Sequence, residues 1–498
     1  MREDSITGEQ PVAVAAATVT GPGLAGAPAP VVRPRVTPER SRRRPRARVA
    51  LGADAGRIAI GVLLIGTLAI VASAAAGPSI LVPRSVQLFP AWEAGPLHLI
   101  VTRLITNPIV LGNVFSGVLV AMLGAYAVVM LAVRSLSMRT IAIAVLALNL
   151  VLLLSPPMQL TDLFNYLGYA RLGALHHLNP YTHTIRQELF DPVYGFSSWH
   201  NLRSPYGPLF TALTYPLAFL PLPVAYWLVK LATVALSLAF SGLIWQCARQ
   251  LGRDPRVAVA FVSLNPIFLI YAVEGFHNDF FMLVPMMGAI SLLLARRERS
   301  AGAMIMVAIA IKFTAVLLLP FLLVAARSKP RRIGLVIGAA VAAIPLIALD
   351  LALFGLALPN LSQQSTLLTG FSIPNVFGLL LDGGGGTPAL LKIAVVGVVL
   401  VVAHQFYRNH DWLAGAGWST LALIASLSWL MPWYVVWLLP LAALAGSVRL
   451  RWVAAVLTVY LMFAFVPTIN TFMTNHNIDL LRTSAGHATA SLQYKLAH

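Results

Sequence analysis

Apolar positions in this chain fall in long unbroken blocks rather than in a periodic stripe. Residues 58–76, 110–133 and 453–466 carry almost no charge, and the first two are long enough to cross about 30 Å of hydrocarbon as helices. Lipid offers backbone groups no partners, so spanning segments must be helices or closed barrels. These runs lack polar alternation, which selects helices. The blocks predict helices over 57–76, 106–133, 139–155, 223–247, 257–273, 279–295, 333–355, 388–404, 412–428, 434–447 and 452–467. Two further apolar stretches, 207–220 and 301–326, are irregular. The predicted fold class is all-α, a polytopic transmembrane helical bundle with about 11–13 membrane helices.

Composition agrees. Hydrophobic residues make up 58% and charged residues 10%, against about 25% charged in a soluble domain. The net charge of +18 does not point to nucleic acid. Its densest part, Arg40, Arg42, Arg43, Arg44, Arg46 and Arg48, directly precedes the first apolar run, as expected of a cytoplasmic flank beside anionic lipid. The single cysteine, Cys247, excludes an intramolecular disulfide and a cysteine zinc cluster. Residues 1–52 read as a disordered basic cytoplasmic tail, since the apolar run starts too late and is too long for a secretory signal. Residues 53–469 form the membrane domain, and 470–498 a polar non-cytoplasmic tail.

Loop charge sets the expected topology. The basic short loops 134–139, 249–256, 296–299, 329–332, Arg408 and 449–451 belong to the cytoplasmic side. Parity then places the long polar stretch 155–206 outside, where it forms a large first loop suited to function. The same parity makes 207–220, interrupted by Pro216, Pro221 and Pro223, an interfacial or partly inserted helix. It splits 301–326 into two half-helices meeting near Lys312. No internal repeat of the transporter kind is seen.

Several polar residues are candidates for chemistry. Asp162, just past an outer helix end, is either a general base or an N-cap for a helix starting at Leu163. The turn Glu274-Gly275-Phe276-His277-Asn278-Asp279 either binds a phosphate, a sugar hydroxyl or a divalent cation through Asp279 and Glu274, or caps the following helix. Lys312, inside an apolar stretch, demands an anionic partner, a phosphate or a neighbouring carboxylate. Lys230 poses the same question, with snorkelling to the outer face as its simplest answer. Arg203 either holds a phosphate or merely precedes a helix start. Trp429, Trp433, Tyr434 and Trp437 form an interfacial belt or a surface for sugar or lipid. There is no phosphate-binding P-loop, since the glycine run 383–386 lacks the Lys and Ser/Thr, and no dinucleotide fingerprint.

The order of the motifs is informative. Asp162 through Tyr166 with Gly168 and Arg171, Asn179-Pro180-Tyr181, Ser204-Pro205-Tyr206-Gly207-Pro208, Gly275-Phe276-His277-Asn278-Asp279, Ala310-Ile311-Lys312, and Pro432-Trp433-Tyr434 through Trp437 to Pro440 follow one another over residues 140–445. This set resembles the GT-C glycosyltransferases that use polyprenyl-phosphate sugars. Within them it is similar to the actinobacterial polyprenol-phosphate-mannose-dependent alpha-1,6-mannosyltransferases of lipoglycan synthesis. The basic tail and the glycine run 383–386 have no counterpart in that pattern.

The resemblance implies a bundle with its active site on the outer leaflet of the plasma membrane and an inverting transfer of a hexose, mannose by analogy. The acceptor is expected to be a cell-envelope glycan or lipoglycan, and the protein a monomer. It implies Asp162 as catalytic base. Arg203, Tyr206, His277, Asn278, Asp279 and Lys312 are expected at the donor phosphate and sugar, and Tyr166, Arg171, Asn179 and Tyr181 in the substrate loop. Trp433, Tyr434 and Trp437 are expected against lipid or sugar. Phosphate already leaves well, so the chemistry permits a divalent cation without requiring one. No nucleic-acid partner is expected. The rival class is a transporter or flippase for a polar or lipid-linked solute, which Lys230 and Lys312 would suit.

Overall fold

The computed structural model describes residues 51–497, apart from 84–87, 102–106, 159, 360–365, 381–392, 394–395, 399, 402–403 and 405–410. Residues 1–50 of the expected tail, the glycine run and most of the expected helix 388–404 therefore lie outside the described residues. Among the described residues every regular element is helical, as apolar runs without alternation require.

The first three helices keep close to their expected limits: α1 (Ala53–Ala75), α2 (Pro108–Ala132) and α3 (Met138–Leu153). Their starts are marked chemically. Asn107 accepts the amides of Ile109 and Val110 ahead of Pro108, and Ser137 accepts the amide of Thr140, which satisfies donors a helix start leaves open. The stretch expected as a polar loop is instead compact. It contains α4 (Asp162–Ala174), whose residues from Leu163 to Ala170 are all buried. Next come a short α5 (Pro208–Thr214) with a 3-10 turn, Tyr215–Phe219, and the 29-residue α6 (Leu222–Gln250).

Two segments are broken at depth. The helix expected over 257–273 is interrupted, because Pro266 has no amide to donate. Helix α7 (Pro255–Ser263) ends before it, Asn265 accepts the Ile267 amide through its side chain, and the chain resumes as a π-helical turn, Phe268–Val273. That turn delivers 274–278 to the start of α8 (Asp279–Leu294). The second break is the expected one: α9 (Glu298–Ile311) stops at Lys312, which is extended at φ −153°, ψ 119°, before a 3-10 turn, Phe313–Leu318, and α10 (Leu319–Ala325).

The remainder comprises α11 (Lys329–Phe354), α12 (Ile373–Leu380), α13 (Trp412–Ser426), α14 (Val435–Leu444), α15 (Val448–Phe465), α16 (Pro467–Asn475) and α17 (Ser484–Ala497). The polar tail thus folds as helices. Its end docks on the long segment 155–206, where the Asn201 amide and side chain donate to the Leu496 and Lys495 carbonyls and Leu496 packs with Leu202. The two segments therefore share one face of the bundle.

Helices α1, α2, α6, α11 and α15 are each long and apolar enough to cross a membrane, and among the described residues six shorter apolar helices of 10–17 residues accompany them. The expectation of about 11–13 membrane helices already allowed for half-helices meeting near Lys312; the break at Pro266 is the one it did not foresee. The hairpin of the π-turn and α8 is almost wholly buried, while α11 buries only Leu335, Gly338 and Phe354 and exposes Val341, Ile344 and Ile347 by 57–69%. Such an apolar outer face suits hydrocarbon rather than water.

Helices associate in lipid chiefly by close packing, which small residues permit. A Cβ on Gly338 would stand 1.8 Å from the Arg299 carbonyl oxygen, and one on Gly302 2.0 Å from that of Leu335. The α9–α11 crossing is thus backbone against backbone. Gly338→Val should destabilise the solubilised protein by about 1–3 kcal/mol, read as a lower thermal midpoint. Gly61→Ala, inside α1 at a position with nothing within 4 Å of the added carbon, should not lower the midpoint and should raise it slightly, since Ala is the better helix former.

Candidate active site

The broken helices bring the polar groups together. Thr161, not Asp162, occupies the N-cap position of α4, with no side-chain capping bond. The Asp162 carboxylate faces the turn before α8 instead, with Oδ2 3.5 Å from Nδ1 of His277. Asp162 keeps 16% of its side chain exposed and His277 2%. The opposite face of the problem, how the imidazole is held, is solved by stacking: its ring lies 3.7 Å from that of Trp433 at 16°. The turn is tight enough to need glycine. A Cβ on Gly275 would meet the His277 ring at 2.4 Å, and Phe276 takes a left-handed φ of 50°.

One residue further on, Asp279 is buried and accepts two donors on Oδ1, Nζ of Lys312 at 2.8 Å and the Trp437 indole. Lys312 therefore has the carboxylate partner that an intramembrane lysine demands. It is still 22% exposed, and its ammonium lies 5.0 Å from the Trp437 ring and 5.8 Å from that of Tyr434. Tyr434 and Trp437 stack on each other at 4.5 Å. Trp433 and Trp437 are buried, so these rings line the interior rather than an interfacial belt. Tyr166 accepts the Asn278 amide at 3.1 Å and meets Tyr206 edge-on. Among the described residues, buried Asn278 Nδ2 and Asp279 Oδ2 have no hydrogen-bond partner, which in a native interior calls for an explanation such as a substrate group.

The segment around Tyr206 is docked against the Lys312 break. Gly207 donates its amide to the Ile311 carbonyl at 3.1 Å, and a Cβ there would stand 2.2 Å from the Ala310 oxygen. Asp162, Tyr166, Tyr206, His277, Asn278, Asp279, Lys312, Trp433, Tyr434 and Trp437 thus form one constellation.

Other candidates lie apart from it. Tyr181 donates to the Tyr206 carbonyl, and Asn179 to that of Phe354, so both shape the loop. Arg171 donates to Asp191 at 2.8 Å and to the Ala218 carbonyl. Arg203 is exposed and is not part of the packed group. Lys230 does not snorkel: it is fully buried, with its ammonium 3.8 Å from the Trp227 ring and 5.1 Å from that of Phe276, in the field of Glu274 and Glu93. Glu274 accepts a bond from Ser155. Glu274 and Asp279, paired in the sequence reading as cation ligands, therefore serve different partners. Among the described residues no three His, Cys, Asp or Glu side chains gather as a metal site.

Sequence reasoning missed a cleft of about 490 Å³ beside Trp433, lined also by Leu160, Tyr271, Phe371, Trp429 and Met473. Its walls come from distant segments, and of them only Trp429 and Trp433, from one motif, had stood out. Its volume is within the usual range for ligand pockets.

Comparison with known proteins places this arrangement. Residues 59–328 match the family described as alpha-(1->6)-mannopyranosyltransferase, N-terminal domain, and residues 373–492 match the MptB C-terminal domain. The chain belongs to the alpha-(1->6)-mannopyranosyltransferase family. It is 28% identical to alpha-(1->6)-mannopyranosyltransferase A of Mycobacterium tuberculosis over 357 residues, 64% of this chain and 67% of that protein. It is 29% identical to the protein of the same name from Corynebacterium glutamicum over 181 residues, 34% of this chain and 35% of that one. No solved structure matches the chain. Family membership makes it a membrane mannosyltransferase, an enzyme of the hexosyltransferase class, as the motif order implied.

Two predictions follow from the ion pairs. Removing one partner of a buried pair leaves a charge uncompensated. Lys312→Met should cost up to about 3 kcal/mol after allowance for the lysine's partial exposure, and the double variant with Asp279→Asn should regain most of the thermal midpoint. At Asp191, burial alone would raise the carboxyl, but hydrogen bonds from Arg171, His176 and the Val193 amide hold it below the ordinary carboxylate value. A depressed folded-state value gives stability that is present above the unfolded value and lost as pH falls through the folded one. The wild-type midpoint should therefore drop more steeply on acidification below the ordinary carboxylate range than that of Asp191→Asn.

Proposed function

We propose that the enzyme transfers a mannosyl group from a polyprenyl-phosphate donor to a hydroxyl of a cell-envelope glycan or lipoglycan, with inversion, on the outer face of the plasma membrane. The observation that carries this reading is the partly open Asp162 carboxylate set against His277, in the same constellation as the Lys312 ammonium. Asp162 takes the proton of the acceptor hydroxyl as its oxygen bonds to the sugar C1. The bond from C1 to the phosphate oxygen breaks, and its electron pair leaves with the phosphate. A proton acceptor of this kind contributes about 10²–10⁴-fold. An alpha product formed by inversion requires a beta-configured donor.

Lys312 has donors beyond the one given to Asp279, and it stands ready for the charge that grows on the leaving phosphate. His277 and Trp433 hold the carboxylate side in place, and the cleft beyond Trp433 offers the acceptor glycan aromatic walls. The outward orientation is supported by loop charge: the short basic loops gather opposite the large outer segment, which puts the N-terminus in the cytoplasm.

Asp162→Asn keeps the shape of the side chain and removes the base. Incubated with polyprenyl-phosphate mannose and mixed oligosaccharide acceptors, the wild type should add one hexose by mass, and the variant should be slower by at least about 10²-fold with its thermal midpoint unchanged. Full activity in the variant overturns the assignment of the base. Solute uptake by the wild type with no such product overturns the transferase reading itself. Trp429→Ala should raise the KM for the acceptor more than it lowers kcat.

A further inference from the structure

At the end of the bundle away from the large outer segment, the turn joining α8 to α9 and the start of α11 enclose a second cavity of about 740 Å³. Arg296, Arg297, Arg299, Lys329 and Arg331 line it, against one carboxylate, Glu298. Arg331 is bound to Glu298 and to the Leu293 carbonyl. Among the described residues the other four cations have no carboxylate within ion-pair distance. The first turns of α9 and α11 both open on the cavity, adding amide donors and the positive ends of two helices. The remaining wall is apolar. Ile333 and Ile337 line it and are 48% and 42% exposed, continuous with the outward apolar face of α11.

We propose that this cavity binds an anionic phospholipid, with its phosphate among Arg296, Arg299 and Lys329 and its acyl chains along Ile333 and Ile337. A free phosphate would use the cations and leave the apolar wall uncovered. A zwitterionic lipid would use the wall and present its own cation to the arginines. Only an anionic lipid matches both surfaces, and basic clusters beside a membrane attract such lipids at roughly 1 kcal/mol per cation. Gly334 forms part of the floor between them. A Cβ there would lie 3.4 Å from Glu298 Cβ and 4.0 Å from Arg299 Cγ, so a larger side chain at this position enters the cavity without striking backbone.

The test titrates detergent-purified full-length protein with phosphatidylglycerol, phosphatidylcholine and inorganic phosphate, and counts bound lipid by native mass spectrometry. Phosphatidylglycerol should be preferred over phosphatidylcholine by at least about tenfold, and millimolar inorganic phosphate should not displace it. The preference should collapse in the triple variant Arg296→Gln, Arg299→Gln, Lys329→Gln and persist in Arg449→Gln, Arg451→Gln, which alters another basic loop. Gly334→Leu leaves every charge in place and should weaken phosphatidylglycerol binding at least about fivefold by occupying the cavity; it decides the matter if the triple variant does not fold. Absence of a preference in the wild type, unchanged binding in Gly334→Leu, equal loss in the Arg449 and Arg451 variant, or displacement by inorganic phosphate would each overturn the site.

Discussion

An apolar bundle in lipid cannot leave a charge alone, and the contact between Lys312 and Asp279 is where this chain meets that constraint. The lysine sits at the break between α9 and the following 3-10 turn, and the carboxylate at the first residue of α8. Neither is tolerable without the other, because desolvation of each ion costs several kcal/mol that only a close partner offsets. The pair therefore fixes the distance between two broken helices. The indole of Trp437, donated to the same carboxylate oxygen, ties in the start of α14. Tyr166, Tyr206, His277 and Trp433 are then carried to the same place by the elements they belong to.

The breaks are what make the site available. A continuous helix satisfies its own backbone and presents only side chains, whereas an interrupted one can turn a polar segment inward. Pro266 ends one helix, and the π-helical turn after it rotates the chain so that 274–279 approaches α4. At the other break Gly207 comes so close to the Ile311 carbonyl that no side chain fits. The catalytic carboxylate proposed here sits in none of these breaks. It lies at the start of α4, in a segment stapled by Arg171, Asp191 and His176, which separates the residues that shape the loop from those gathered around Asp162.

The buried Lys230 shows the same physics used for structure. Its ammonium is surrounded by the rings of Tyr226, Trp227 and Phe276, with Glu93 and Glu274 as the nearby carboxylates. Phe276 and Glu274 belong to the turn that carries His277. This second charge cluster therefore backs the first, and rigidity at the turn is what the stacking of His277 on Trp433 requires.

Much of this was legible along the chain. Run length and the scarcity of charge determined a helical membrane bundle, since lipid permits little else. The charge rule, applied to the short basic loops, demanded a break near Lys312, and the ordered motifs identified the family. Other features depended on folding. Glu93 and Ser155 carried no signal, because an isolated carboxylate and a serine acquire meaning only from a partner more than a hundred residues away. The partner of Lys312 was open between a phosphate and a carboxylate for the same reason. Arg171, Asn179 and Tyr181 looked like Tyr166 and Tyr206 in the motif order, and only packing assigned them to the scaffold. The cleft beside Trp433 has walls from several distant stretches, so no local pattern foretells it. Local sequence sets which segments are helical and where they must break. Which polar groups then face one another is decided by long-range packing, where an unpaired charge costs more than any local preference can return.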